Sequence, residues 1–322
     1  MNFVHYRVLS GCTYGLGHVV RARWLAEALR DRLGLMPLFF ELSGFAPAQD
    51  YLKSAGLPVH PNFVPSPQAP VLEVIDGLDA PEEVILEARL SGAPVLCFEN
   101  EAPSARLADV VVNPIIAGLE TRHWTKSGVP HHGGASYLLL NPEIRRWKSL
   151  RLKPSPPRAE NILISCGGTD PAGRMALALD WLEALRFEGI VNLVLGGGGP
   201  AAPILSPSLR VRVHRNLPTL APLLHQTDLA LISGGMTMYE AACLGVPSAV
   251  IPQNDHQILN AERFQARGAS LLLDPANPSA SMASLQHLID TSATRQLMSE
   301  CGRNILSGDA PDLFALVETL IR

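Results

Sequence analysis

Two hydrophobic patterns alternate along the chain. Short, almost unbroken apolar runs, "MPLFFEL", "APVLCFE", "DVVVNP", "NILISCGG", "VNLVLGGG", "LALISGG" and "PSAVIPQ", stop at glycine, proline or a polar residue. Runs of that length suit strands buried on both faces of a parallel sheet. "FVHYRVL" alternates and is rich in β-formers, and "LRVRVH" and "SYLLLN" also read as strands. Between them lie stretches with helical spacing. Val19, Val20, Trp24, Leu25, Ala28 and Leu29 mark an amphipathic helix over 18–33, and Leu177, Trp181 and Leu185 mark one face of another. Alternation of this kind predicts an α/β protein with helices on both faces of parallel sheets.

A polar, proline-rich break, "RRWKSLRLKPSPPRAEN", falls near the middle, after "SYLLLN" and before a fresh strand at Asn161. It divides the chain into an N-terminal domain, residues 1–150, and a C-terminal domain, residues 151–322. Each half opens with a strand that runs into a glycine turn and a helix, an echo expected of two Rossmann-like domains facing a central cleft. "GLPVHPNFVPSPQAP" reads as a surface excursion within the first domain.

The 322 residues, 47% hydrophobic and 17% charged, are more than a single core usually needs. A net charge of −4 and a pI near 6.2 argue against a nucleic-acid partner, which calls for a basic stripe. The five cysteines are scattered without a C-x-x-C spacing, so neither a disulfide frame nor a zinc site is expected. No signal-type segment and no apolar run of spanning length is seen, so a cytoplasmic protein without stable membrane insertion is expected.

The chemistry gathers at glycine turns. In "SGCTYGLGHVVRARWLAEALR", Gly15 and Gly17 separate the first strand from the first helix, and His18 stands at the first helical turn with Arg21 and Arg23 behind it. Free amides at such a junction form a ready anion site. On its own His18 reads better as a polar residue opening a helix, and the glycines before it and arginines behind it shift that balance without settling it. In "ILISCGGTDPAGRMALAL" a buried strand meets Gly167, Gly168, Thr169 and Asp170, with Pro171 suited to a first helical turn. "LALISGGMTMYEAACLGVP" repeats the logic: Ser233, Gly234 and Gly235 end a strand, and Met236 and Thr237 open a helix whose dipole favours a diphosphate. Glu240, one turn on, is either a carboxylate that accepts both hydroxyls of a ribose or a simple partner of the helix dipole. "VLGGGGPAAP" lacks a following amphipathic helix with a suitable acid and is taken as a turn. Adjacent His131 and His132 in "VPHHGG" read as a solvated loop. No Walker lysine, G-x-S-x-G elbow or D-x-D triplet occurs, so no metal and no organic cofactor is expected.

Taken together, these motifs resemble the GT-B nucleotide-sugar enzymes. "GLGHVVR" is similar to their N-terminal signature, and "SYLLLNPEIR" and "SCGGTDP" are similar to segments of the UDP-sugar hydrolases of the pseudaminic acid pathway and of spore-coat polysaccharide proteins. "SGGMTMYEAACLGVPSAVIPQNDHQILNAERFQARGA" resembles the block shared with the lipid II-forming N-acetylglucosaminyl transferases. The resemblance implies a GT-B architecture, with the last helix packing back toward the N-terminal domain. It implies that His18 is catalytic and that Gly17, Gly168, Thr169 and Ser233 to Thr237 lie along the nucleotide and diphosphate. Glu240 would take the ribose, and Asn216 and Leu217 would hold the base through their backbone. Arg21, Asn100, Asp255, Gln257 and Asn260 would face the sugar. Relatives often carry Asp-Asp or Asp-Ser-Tyr where this chain has Glu99-Asn100-Glu101, a departure on the side that meets the sugar or acceptor.

The expected partner is a UDP-sugar or related NDP-sugar. The expected activity is metal-independent hydrolysis, in which His18 takes a proton from the water attacking the anomeric carbon and UDP leaves toward the Gly234-Gly235 helix start. An inverting glycosyltransferase with the same site, and a non-catalytic sugar-nucleotide binding protein, are the competing readings. Retention of His18 and Glu240 argues against the last.

Overall fold

A computed structural model describes residues 2–10, 17–60, 69–77, 79–100, 102–114, 128–150, 154–168, 170–196, 203, 205–215 and 217–322. These fall into two compact units, Met1–Leu140 with Asp309–Arg322, and Asn141–Gly308.

The first unit runs through β1 (Phe3–Val8), α1 (Gly17–Leu33), β2 (Met36–Glu41), α2 (Ala46–Ser54), β3 (Val59–His60), β4 (Pro70–Asp76), α3 (Glu82–Arg89), β5 (Val95–Phe98), β6 (Val110–Asn113) and β7 (His131–Gly133). The strands form one parallel sheet of order β3-β2-β1-β4-β5-β6-β7. In β1 the period of two separates Val4, Tyr6 and Val8, which join the core under α1, from His5 and Arg7 on the other face. On α1, Val19, Ala22, Leu25, Ala26 and Leu29 supply the apolar stripe that packs onto the sheet. His131 and His132, read above as a loop, lie on β7, the edge strand of this sheet.

The second unit comprises α4 (Pro142–Lys148), β8 (Asn161–Ser165), α5 (Arg174–Ala184), β9 (Ile190–Leu195), β10 (Arg210–Arg215), α6 (Ala221–Gln226), β11 (Leu229–Ile232), α7 (Met236–Leu244), β12 (Ser248–Val250), α8 (Asp255–Ala266), β13 (Leu271–Leu272), α9 (Pro278–Asp290) and α10 (Ser292–Ile305). Its sheet, β10-β9-β8-β11-β12-β13, is also parallel. Ile162, Ile164, Leu193, Leu229 and Leu231 fill its core. Both units are Rossmann-like: strand order runs outward in one direction from β1 or β8 and in the other from β4 or β11.

The division near residue 150 is corrected. The second unit begins at Asn141, whose side chain caps α4 by accepting from Glu143 N at 2.9 Å. The α4 helix belongs there because Trp147 lies against His225 of α6, ring centroids 4.9 Å apart, and Lys148 Nζ donates to Leu306 O at 3.1 Å. The proline-rich connector is held to the same unit. Buried Arg295 donates to Ser155 Oγ (3.1 Å), to Leu288 O and Ile289 O (2.6 and 2.7 Å), and to Pro156 O. The last helix, α11 (Pro311–Leu320), belongs to the first unit, where Leu313, Phe314 and Val317 enter the core. "SYLLLN" is not a strand: residues 135–137 form a 3₁₀ turn, and Leu139 makes a single antiparallel bridge to Asp309.

Candidate active-site residues

In a parallel sheet all carboxyl ends lie along one edge, and ligands bind where the strand order reverses. In the first unit that point lies between β1 and β4. The residue closing β4 is Asp76, and the helix that follows β1 opens with Gly17 and His18. Gly77 lets the chain leave β4 there, because a Cβ at this position would lie 2.5 Å from Leu9 Cδ1. His18 Nδ1 is 2.7 Å from Asp76 Oδ1. An ionised carboxylate only accepts, so this contact assigns the ring proton to Nδ1 and leaves Nε2 as the basic atom.

Arg21, one turn along α1, meets the same carboxylate. Its Nε donates to Asp76 Oδ2 at 2.9 Å, its Nη2 to Asp76 Oδ1, and its Nη1 to Glu99 Oε1. Burial opposes the Asp76 charge, but the Arg21 guanidinium and the His18 hydrogen bond outweigh it and hold the carboxyl below its usual range. Burial likewise opposes the Arg21 charge, and Asp76 and Glu99 together hold it above its ordinary value. Each guanidinium nitrogen of Arg21, expected to face a sugar, donates to a buried carboxylate. Arg23 points elsewhere, to Glu27 at 2.9 Å and over the Tyr51 ring. Asn100 is buried, and its amide serves its own loop, donating to Ser104 Oγ at 3.3 Å and accepting from Ala102 N at 3.1 Å.

In the second unit the strand order reverses between β8 and β11, and the Gly167-Gly168 and Ser233-Gly234-Gly235 turns follow those strands. A Cβ on Gly167 would sit 3.9 Å from Ser233 Oγ, so the two turns are neighbours. Gly234 has to be glycine, since a Cβ there would lie 2.6 Å from the Gln257 carbonyl oxygen. Gln257 joins the loops: its Oε1 accepts from Gly234 N (3.2 Å) and from Gln253 N (3.0 Å). Met236 and Thr237 open α7, half-buried, with no side chain capping the helix start. That leaves first-turn amides for a ligand oxygen. Glu240 is buried on the next turn with no charged partner among the described residues, and burial pushes its carboxyl up to about 7.

Of the remaining expected residues, Leu217 is exposed just beyond β10, and Asp255 is exposed at the first position of α8. Asn260 is buried one turn along α8. Thr169 and Asn216 lie outside the described residues, as do Gly15 and Glu101. Pro171 is not in a helix. The α5 helix begins at Arg174 because the Asp170 carboxylate receives the Arg174 and Met175 amides, at 2.8 and 3.0 Å. Gly196, the first glycine of the "VLGGGG" run, packs directly on the neighbouring turn, with its Cβ position 2.4 Å from Gly168 Cα. Asp76 and Gln253 went unnoticed in the sequence. The signal for Asp76 was present in "LEVIDG", an apolar strand ending in an acid and a glycine.

Comparison with known proteins speaks to the fold. Residues 206–302 match the glycosyltransferase family 28 C-terminal domain. The chain is 27% identical over 280 residues to the spore coat polysaccharide biosynthesis protein SpsG of Bacillus subtilis, covering 81% of this chain and 80% of that protein. It is 35% identical over 115 residues to the UDP-N-acetylglucosamine--N-acetylmuramyl-(pentapeptide) pyrophosphoryl-undecaprenol N-acetylglucosamine transferase of Lactobacillus gasseri, 33% of this chain and 30% of that one. The crystal structure of MurG from Acinetobacter baumannii superposes with a TM-score of 0.64 at 18% identity, covering 99% of both chains. Two parallel Rossmann-like units and these relatives define the class: the chain is an enzyme of GT-B fold. Its second unit carries a glycosyltransferase family 28 C-terminal domain.

Proposed function

We propose that this enzyme cleaves a UDP-sugar at the anomeric carbon and releases UDP, with His18 as the general base and water as the acceptor, in the biosynthesis of a surface polysaccharide or modified sugar. The observation that carries the reading is the His18–Asp76 pair at 2.7 Å, at the point where the first sheet reverses its strand order. A base held in one tautomer by a buried carboxylate is suited to taking a proton from an attacking oxygen. The second unit supports the nucleotide side of the reading. Uncapped amides at Met236 and Thr237 would receive diphosphate oxygens, and Glu240 would accept the ribose hydroxyls.

Transfer to a sugar, lipid or small-molecule hydroxyl is a second reading, favoured by the match to a glycosyltransferase domain and by a relative named as a transferase. The two differ only in the acceptor. UDP release measured over a panel of UDP-sugars without acceptor separates them: rapid release that His18→Ala lowers by about 10²–10⁴ establishes hydrolysis. No release, with UDP still raising the Tm, points to a transferase waiting for its acceptor. Release that His18→Ala leaves unchanged removes His18 from the mechanism.

A further inference from the structure

The first-unit centre contains two residues that the reaction as proposed leaves idle. Arg21 and Glu99 are buried, and the guanidinium is divided between Asp76 and Glu99. Glu99 is also one of the few non-glycine residues with a left-handed backbone, at φ 54° just after β5. Such a conformation is strained and persists where the surroundings over-determine it, commonly at working sites. Its backbone N–H donates to Val112 O at 2.9 Å, so the strained residue is tied to β6 while its carboxylate points back to α1.

We propose that Arg21 and Glu99 are positioning residues of this centre: Glu99 holds one arm of the guanidinium, the other nitrogens grip both oxygens of Asp76, and Asp76 fixes His18 with Nε2 as its basic atom. The inference rests on the reading of His18 as the base, but it concerns how that base is set. Arg21 Nη2 lies 3.1 Å from His18 Nδ1 as well as on Asp76 Oδ1. Because Nδ1 carries the proton, Arg21 donates to the carboxylate and not to the ring, and its positive charge stands directly beside the imidazole. Among the described residues, charged groups facing His18 include Asp76 from β4, Arg21 from α1 itself and, one step removed, Glu99 from the end of β5. The Phe98 ring closes the other side of the guanidinium at 5.2 Å. One cation thus lies between two anions, and the imidazole feels the balance. Removing the cation favours the protonated ring, whereas removing the distal anion disfavours it.

That balance gives the two residues opposite signatures. Nuclear magnetic resonance of the full chain with labelled histidine, the His18 signal assigned through His18→Gln, reads the titration midpoint and the tautomer of the ring without any substrate. Arg21→Gln is expected to move the midpoint up by about one pH unit, and Glu99→Gln to move it down by about half a unit. Arg21→Lys keeps the charge but not the fork, so it is expected to keep the midpoint and lose the Nδ1-protonated form as the dominant tautomer. The acid limb of the rate of UDP release should follow in the same directions. Shifts in a common direction, or unchanged midpoints and tautomer, overturn the proposal. Should Arg21→Gln fail to fold, Glu99→Gln and Arg21→Lys decide it. A His18→Ala enzyme with full turnover would sink the proposed function instead and leave the resonance result to judge this inference alone.

Discussion

Glu240 offers a direct test of the nucleotide-binding reading of the second unit. Burial without a cationic partner raises its carboxyl from 4.5 to about 7. At ~1.4 kcal/mol for each tenfold in proton affinity, that gap corresponds to about 3 kcal/mol. The sign follows from linkage. Below pH 4.5 the carboxyl is neutral whether the chain is folded or not, and no penalty exists. As pH rises toward 7 the unfolded chain loses this proton while the folded chain keeps it, so stability falls, and above 7 the whole penalty is present. Glu240→Gln removes the titration. The variant should therefore match wild type near pH 4 and exceed it at pH 8 by about 1–3 kcal/mol, the lower figure allowing for an amide short of partners. At about 2–4 °C per kcal/mol for a unit of this size, differential scanning should find the variant several degrees more stable at pH 8 only. The same substitution should abolish the Tm increase caused by a UDP-sugar, since an amide cannot accept both ribose hydroxyls. A variant no more stable than wild type at pH 8, with the same slope of Tm against pH, would refute the argument that burial alone sets this carboxyl.

Three further substitutions probe other parts of the site. Asp76→Asn should lower UDP release by about 10²–10⁴ while leaving the UDP-induced Tm shift intact, because the loss falls on the tautomer of His18 and not on nucleotide binding; comparable turnover would remove the dyad from the mechanism. Gly234→Ala drives a methyl into the Gln257 carbonyl, 2.6 Å from the Cβ position, so it should cost about 1–3 kcal/mol by thermal unfolding and reduce nucleotide affinity together. Asp170→Ala removes the acceptors for the Arg174 and Met175 amides and should cost about 1–2 kcal/mol, with Asp170→Asn recovering only part of it, since asparagine tolerates the φ of 42° but offers one acceptor oxygen where the carboxylate offers two.

Much of the fold was legible because its strands are buried on both faces. Runs such as "ILIS", "LALI" and "VLCF" have few other uses, and their spacing allowed little besides parallel sheets with helical crossovers. The errors came where local pattern and tertiary packing disagree. "SYLLLN" is apolar enough for a strand, yet Leu138, Leu139 and Leu140 are buried without a sheet to join. The proline-rich connector looked like a boundary because its composition is that of a linker. Arg295, 138 or more residues away in sequence, captures it through its carbonyls, and no local reading could have found that partner. Pro171 suited a helix start, but Asp170 receives amides four and five residues ahead and delays the helix to Arg174.

The candidate site divides along the same line. His18 and the glycine turns at Gly167 and Gly234 were readable because each lies within a few residues of the strand that positions it. The residues that set His18 were not, because they come from β4 and from the end of β5, 58 residues away for Asp76 and 78 from Arg21 for Glu99. Only the parallel order β1-β4-β5 brings those chain positions side by side, and it does so at carboxyl ends, where backbone amides and polar side chains have no sheet partner ahead of them. The second sheet repeats this with β8 and β11, and there the gathered groups are amides and one uncompensated carboxyl in place of an ion-pair cluster. One topology therefore gathers buried, paired charges in the first unit, on which the proposed general base rests. In the second it gathers glycine turns that keep side chains away from helix-start amides, on which the proposed diphosphate contact rests.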